Sequence, residues 1–236
     1  MSCILNIETS TDVCSVALSQ DGVCIFEKAN YEGMNHAKSL ATFADEAVSF
    51  ADSHAIPLDA MAVSKGPGSY TGLRIGVSTA KGICYGRGIK MIAIPTLKLL
   101  CVPVLLGEVG NTLPDDALLC PMIDARRMEV YAALYDRALN EVRPTQADIV
   151  DGETYREYLE AHPVWFFGNG EGKCDKLLLE HHNAHTLKNI RPLAKNMMPL
   201  SEKAMAEGDF VDVAYFEPYY LKDFITTKPK NLLNGI

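Results

Sequence analysis

The sequence predicts an α/β protein of two successive lobes, each a mixed β-sheet flanked by helices, the second lobe reduced. Three observations predict it. Short apolar runs and helical periodicity follow one another as βββαβαβα over the first hundred residues. A glycine-rich loop, Gly66 to Gly72, joins a strand to a helix start. Beyond a joint containing Pro103, Gly107, Gly110 and Pro114, the order begins again: an apolar strand ending in an acid, then a later glycine loop.

The first strand is Cys3 to Glu8, and the polar turn Thr9-Ser10-Thr11-Asp12 leads to a second, Val13 to Ser19. Asp21-Gly22 is a hairpin signal, so Val23 to Lys28 returns antiparallel. From His36 to Ser53 apolar residues cover roughly 180° of a helix, wider than the usual core stripe of about 100°. That leaves two readings, a deeply seated core helix or one that meets a partner. Leu58 to Lys65 is a strand, a helix runs from about Leu73 to Arg87, Met91 to Ile94 is a strand, and Thr96 caps a helix reaching about Cys101. This order is that of a ribonuclease-H-like unit. In the second half Ala117 to Asp124 mirrors the first strand, Val130 to Tyr135 the second, and Asn140 to Arg143 begins a third. A short helix covers Glu153 to Glu160, and Val164 to Phe167 is a strand entering Gly168-Asn169-Gly170-Glu171-Gly172 and a helix to about Glu180. The expected division is a lobe over 1–101, a shorter lobe over 102–225 and a loose tail over 226–236.

Composition narrows the function. The chain has 236 residues, 48% hydrophobic and 22% charged, with a formal net charge of −8. No basic run supplies the face with which a chain grips nucleic acid on its own. The seven cysteines include no CxxC pair and sit mostly in apolar runs, as reduced core residues do. No stretch approaches the ~18 apolar residues of a membrane span, and Glu8 and Asp12 interrupt any leader. The expectation is a cytoplasmic chain.

Candidate chemistry is sparse. The loop GPGSYTGLR, Gly66 to Arg74, is neither a Walker loop nor a dinucleotide fingerprint. Two readings stay open for it: an anion held at the helix start, or a tight turn that needs its glycines. On the first reading the phosphate contacts are Glu8, Thr9 and Ser10 with Gly66, Gly68 and Ser69. Glu8 and its counterpart Asp124 form a carboxylate pair only if they face one cleft; the plainer reading is two strand-end acids. The next helix carries Gly76, Gly82 and Gly86, each costing ~1 kcal/mol relative to alanine. Gly72, Gly76 and Ala80 recur every four residues, a face that lets another backbone approach, either a partner's or that of the chain's own sheet. The expected partner interface is Leu40, Phe43, Ala44 and Ala47 with Gly72, Gly76 and Ala80. His36 has no HxxxH mate, and His181, His182 and His185 read as an exposed helix end without HExxH. No catalytic residue and no metal ligand is assigned.

Three stretches, ILNIETSTDVCSVAL, KGPGSYTGLRIGVSTAKGI and IDARRMEVY, together resemble the TsaB (YeaZ) family, in that family's order over about the first 135 residues. Pro218-Tyr219-Tyr220-Leu221 is similar to the family's C-terminal end. The resemblance implies an actin-like two-lobed fold and an accessory role in placing the threonylcarbamoyl group on adenosine 37 of transfer RNAs. It implies homodimers through the two N-terminal-lobe helices, the same face binding the catalytic subunit TsaD, and an ATPase, TsaE, joining them. Transfer RNA would be met only through that complex. No cofactor is expected to bind tightly; ATP or ADP would lie at the junction with TsaD. Glu8 stands where the family often has Asp. A stand-alone actin-like ATPase or kinase, a glycoprotease-like metalloenzyme, and a dimeric interaction protein without nucleotide are the competing readings.

Overall fold

A computed structural model describes residues 2–33, 35–108, 110, 112–173 and 180–222. The first sheet contains β1 (Cys3–Glu8), β2 (Cys14–Gln20), β3 (Val23–Asn30), β4 (Ala60–Gly66) and β5 (Lys90–Pro95), in the order β3-β2-β1-β4-β5. β1 runs antiparallel to β2 and parallel to β4, and β4 is parallel to β5. The second sheet repeats this strand for strand. It contains β6 (Leu118–Asp124), β7 (Glu129–Tyr135), β8 (Glu141–Ile149), β9 (Val164–Phe167) and β10 (Ala184–Leu187), in the order β10-β9-β6-β7-β8. Among the described residues the second lobe is reduced in its helices, not in its sheet. Helices α1 (His36–Ser53) and α2 (Tyr70–Arg87) have 18 residues each, whereas α4 (Arg156–Ala161) has 6.

The two-residue period of β1 sets the layers. Cys3, Leu5 and Ile7 point to one face and are covered by Leu40, Ala47 and Ala51 of α1 and by Val77, Ala80 and Cys84 of α2. Ile4 points to the other, where Ile92, Ile94, Met197 and Ala204 meet it. Each such aliphatic side chain taken from water contributes about 1.5–3 kcal/mol.

Helix α3 (Thr96–Leu105) is apolar apart from Thr96 and Lys98 and is buried between the lobes. Leu99 packs on the first sheet, while Leu97, Leu100, Cys101 and Val104 pack on the second. The expected end of the helix near Cys101 is therefore corrected: α3 continues through Pro103. A helical proline forfeits one backbone hydrogen bond, but burial of Val102 and Val104 holds the turn. Thr96 is helical itself, with Pro95 at the cap position, and its hydroxyl has no cap hydrogen bond. Helix α5 (Met198–Glu207) lies in the stretch assigned above to the second lobe, yet packs on β1 and β5 of the first.

Two further expectations change. The third strand of the second lobe is a full nine residues. His181 to His185 do not form a helix end: Ala184–Leu187 is β10, paired in parallel with β9, and the His185 ring stacks on Trp165 at 4.6 Å. Burial of Ala184 and Leu187 against β9 explains the strand. The helix expected up to Glu180 falls largely outside the described residues; Glu171–Lys173 form a single 3-10 turn. The tail expected over 226–236 also lies outside them. Among the described residues no helix is long and apolar enough to cross a membrane.

Candidate functional site: the cleft between the lobes

Both sheets end their first and fourth strands at one cleft of about 840 Å³. Its two walls are built alike. Gly66 and Gly168 leave β4 and β9 at φ +109° and +103°, conformations that L side chains rarely adopt. Two residues on, Gly68 and Gly170 press against the exits of β1 and β6. A β-carbon on Gly68 would lie 2.4 Å from Ser10 O, and one on Gly170 would lie 3.0 Å from the Ile123 carbonyl carbon. The weak internal repeat of the sequence is thus a repeat of backbone geometry.

On the first wall the glycine loop is fastened to the β1–β2 loop. Ser69 N–H donates to Ser10 O at 2.7 Å, and Thr9 Oγ1 donates to Gly72 O at 2.8 Å. Ser69 Oγ accepts from Gly72 N–H at 3.2 Å and caps α2. Of the six expected phosphate contacts, Ser10, Gly68 and Ser69 line the cleft. Glu8, Thr9 and Gly66 do not. Glu8 is fully buried, and its carboxylate accepts from Ser10 N–H, Ser10 Oγ and Ser64 Oγ. Burial pushes the Glu8 carboxyl up to about 7, against the hydrogen bonds from Ser10 and the Thr9 backbone, which lower it. Gly66 is closed over by the C-terminal segment: Tyr219 N–H donates to Lys65 O at 2.7 Å, and Tyr219 O stands 2.7 Å from where a Gly66 β-carbon would be.

On the second wall Asp124 is an exposed acid paired with Lys173 at 2.6 Å, its Oδ1 also accepting the Arg126 N–H at 2.6 Å. Glu8 and Asp124 therefore do not face one another across the cleft. Among the described residues no group of three or more His, Cys, Asp or Glu side chains is placed to hold a metal ion. The residues that carry the cleft's character are not among those expected from the sequence. Arg126 and Arg127 stand at φ +69° and +52° in the β6–β7 turn. Tyr219, Tyr220 and Lys222 bridge the lobes, with Tyr220 against Tyr70 at 4.8 Å and Lys222 paired with Glu129. Their signals were there: a hairpin turn with arginines where asparagine and glycine are usual, and the Pro-Tyr-Tyr-Leu run.

Most of the expected partner face is buried within the chain itself. Leu40, Ala47 and Ala80 are 0% exposed and belong to the core under α1 and α2, with Phe43 half-buried against it; Ala44, 3% exposed, also lines a groove between the two helices. Gly72 and Gly76 face Thr9, where a β-carbon would meet Thr9 O at 2.0 Å and Thr9 Oγ1 at 2.3 Å. The four-residue stripe serves close approach to the chain's own β1–β2 loop. What stays open is the other side of α2. A β-carbon at Gly82 or Gly86 meets nothing within 4 Å. Beside them an apolar groove of about 320 Å³ runs between α1 and α2, lined by Ala41, Val48, Thr79, Ile83 and Gly86 among others.

Comparison with known proteins places this geometry. A family model described as "TsaD: tRNA N6-adenosine threonylcarbamoyltransferase" matches residues 30–215. The TsaB protein of Bacillus subtilis is 34% identical over 169 residues, 70% of each chain. That of Haemophilus influenzae is 31% identical over 244 residues, covering 95% of each. The chain belongs to the TsaB (YeaZ) family. The Escherichia coli TsaB, a "tRNA threonylcarbamoyladenosine biosynthesis protein", is 29% identical over 95% of this chain and 96% of its own. The solved structure of YeaZ from Pseudomonas aeruginosa shares this fold, with a TM-score of 0.74 at 23% identity over 94% of this chain and all of that one. The TsaB resemblance of the three motifs thus extends along 95% of the chain.

Proposed function

We propose that this chain takes part in tRNA threonylcarbamoyladenosine biosynthesis as a partner subunit that docks on a TsaD-type transferase and supplies no catalytic residue itself. The supporting observation is the α1–α2 face: an apolar groove, with Gly82 and Gly86 open beside it on a helix where each glycine is unfavourable by ~1 kcal/mol. Glycines that meet nothing within the monomer make sense where a second helix comes close. The same face suits a second copy of the chain, so homodimer and heterocomplex would compete for it. In this reading no cofactor is bound tightly, ATP or ADP lies at the junction with the catalytic subunit, transfer RNA is met through the assembly, and a TsaE-type ATPase joins it.

Reconstitution tests the proposal. The chain is mixed with a TsaD-type transferase, a TsaE-type ATPase, ATP, the activated threonyl precursor and unmodified transfer RNA, and the modified nucleoside is measured. Formation that depends on this chain supports the reading. Equal formation without it, or formation by this chain without the transferase, overturns it.

A further inference from the structure

The segment after α5 touches both lobes. It leaves the helix at Gly208 and rounds the edge of the first sheet, where Val211 N–H donates to Met91 O at 2.9 Å. Lys81 of α2 holds it next, its Nζ donating to Ala214 O at 3.0 Å. Tyr219 N–H then donates to Lys65 O near the end of β4, and Lys222 reaches Glu129 on β7 of the second lobe. Tyr219, Tyr220, Leu221 and Lys222 all line the cleft.

The grip differs between the two halves of the segment. Val211, Val213 and Phe216 pack on the hydrophobic core under α1 and α2. From Tyr219 onward the hold passes to a backbone hydrogen bond, to the Tyr220 ring against Tyr70 at 4.8 Å, and to the Lys222–Glu129 pair. Tyr219 is 43% and Tyr220 37% exposed, and the paired Lys222 and Glu129 side chains are 34% and 31% exposed. Polar contacts left this open to water are individually weak, and segments held by them open far below the cost of global unfolding.

A built seat receives the weakly held half. Gly66 ends β4 at φ +109°, and a β-carbon there would lie 2.7 Å from Tyr219 O. A side chain at position 66 would hold the segment off. Helix α3 ties the lobes differently, through apolar side chains buried against both sheets. One tie between the lobes is therefore sealed in the core, and the other lies at the cleft with a fitted but exposed seat.

We propose that residues 209–222 form a strap with a fixed root and a releasable tip. Val211 to Phe216 stay packed, while Tyr219 to Lys222 lift from Lys65, Tyr70 and Glu129. Lifting uncovers one side of the cleft and loosens the β6–β7 turn, which Glu129 closes by donating its N–H to Arg126 O and accepting the Ala125 N–H. The inference concerns the chain alone and does not rest on its docking to a transferase.

Amide hydrogen exchange, read by NMR on the purified full chain at low and at high salt, tests it. In the wild type the Tyr219 amide should exchange at least tenfold faster than the Val211 amide. It should quicken further at high salt, which screens the Lys222–Glu129 pair. Lys222→Glu sets like charges against each other and should speed Tyr219 exchange at least threefold, with the Ala125 and Glu129 amides following. Tyr220→Ala should speed Tyr219 exchange as well, without any change of charge. Lys222→Glu/Glu129→Lys should return the rates to within twofold of the wild type. The Val211 rate and the melting temperature should stay unchanged throughout, which separates release of the tip from loss of the fold. A Tyr219 amide that exchanges in step with Val211, or that keeps its wild-type rate in both Lys222→Glu and Tyr220→Ala, overturns the proposal.

Discussion

Thr9 Oγ1 stands 2.3 Å from the position a β-carbon on Gly76 would occupy, so the β1–β2 loop and α2 touch through a gap that only glycine leaves. Val63 closes the other side at 3.5 Å. Gly76→Ala should therefore lower stability by on the order of 2 kcal/mol through overpacking, despite the better helix propensity of alanine. Chemical denaturation measures it; unchanged stability would show that the loop gives way freely.

The opposite outcome is expected one turn on the far side. Gly82 and Gly86 face open space, so Gly82→Ala and Gly86→Ala should each raise the stability of the monomer by roughly 0.5–1 kcal/mol. Thermal melts at low protein concentration read this directly. A loss of stability would mean that these glycines are already packed within the chain.

Glu8 gives the fold a pH dependence of known sign. Its carboxyl is raised from 4.5 to about 7 by burial. Between those values the folded chain keeps a proton that the unfolded chain releases, so stability is greatest below pH 4.5 and falls as pH rises through the window. The total loss from this group is at most about 3 kcal/mol. Glu8→Gln keeps an oxygen that accepts from Ser10, turns its amide NH2 to donate to Ser64 Oγ, and carries no charge. The variant should lack this component of the slope and gain on the wild type as pH rises from 5 to 8. Parallel stability curves for the two proteins would contradict the assignment.

The second lobe has its own polar anchor. Asp148, 7% exposed, accepts from Arg143 at 2.7 and 2.8 Å and from the Tyr155 hydroxyl at 2.7 Å. Tyr155→Phe should cost about 1–2 kcal/mol, for one hydrogen bond to a buried charge. Asp148→Ala should cost about 3–5 kcal/mol, because it strands the half-buried Arg143 cation. Near-equal losses in the two variants would mean that the Arg143 pair contributes little.

Strands were legible in the sequence wherever burial and chain pattern agreed. Cys3–Glu8 and Val164–Phe167 have the bounds that their apolar runs suggest. β10 was not, because Ala-His-Thr-Leu is too short and polar to declare itself until β9 lies beside it. Pro103 signalled a break that the burial of α3 on both sides overrode. At the cleft, the glycine loop was visible, and the structure adds that its Ser69 caps α2. Spacing alone did not say which way small residues face. Gly72, Gly76 and Ala80 repeat as a partner-facing stripe would, yet they look inward at Thr9 and the sheet. Nor does strand-end position say whether a carboxylate is exposed: Asp124 is, and Glu8 is sealed by two serines.

The outward side of α2 is the proposed docking surface. Gly82→Glu/Gly86→Glu places two carboxylates beside the α1–α2 groove without meeting any atom of the monomer within 4 Å at the β-carbon. Sedimentation velocity of this variant and of the wild type, each alone and mixed with a TsaD-type transferase, reads the consequence. The predicted result is a folded monomer that forms neither homodimer nor heterocomplex, while the wild type forms both. A double variant that binds the transferase as tightly as the wild type would contradict it.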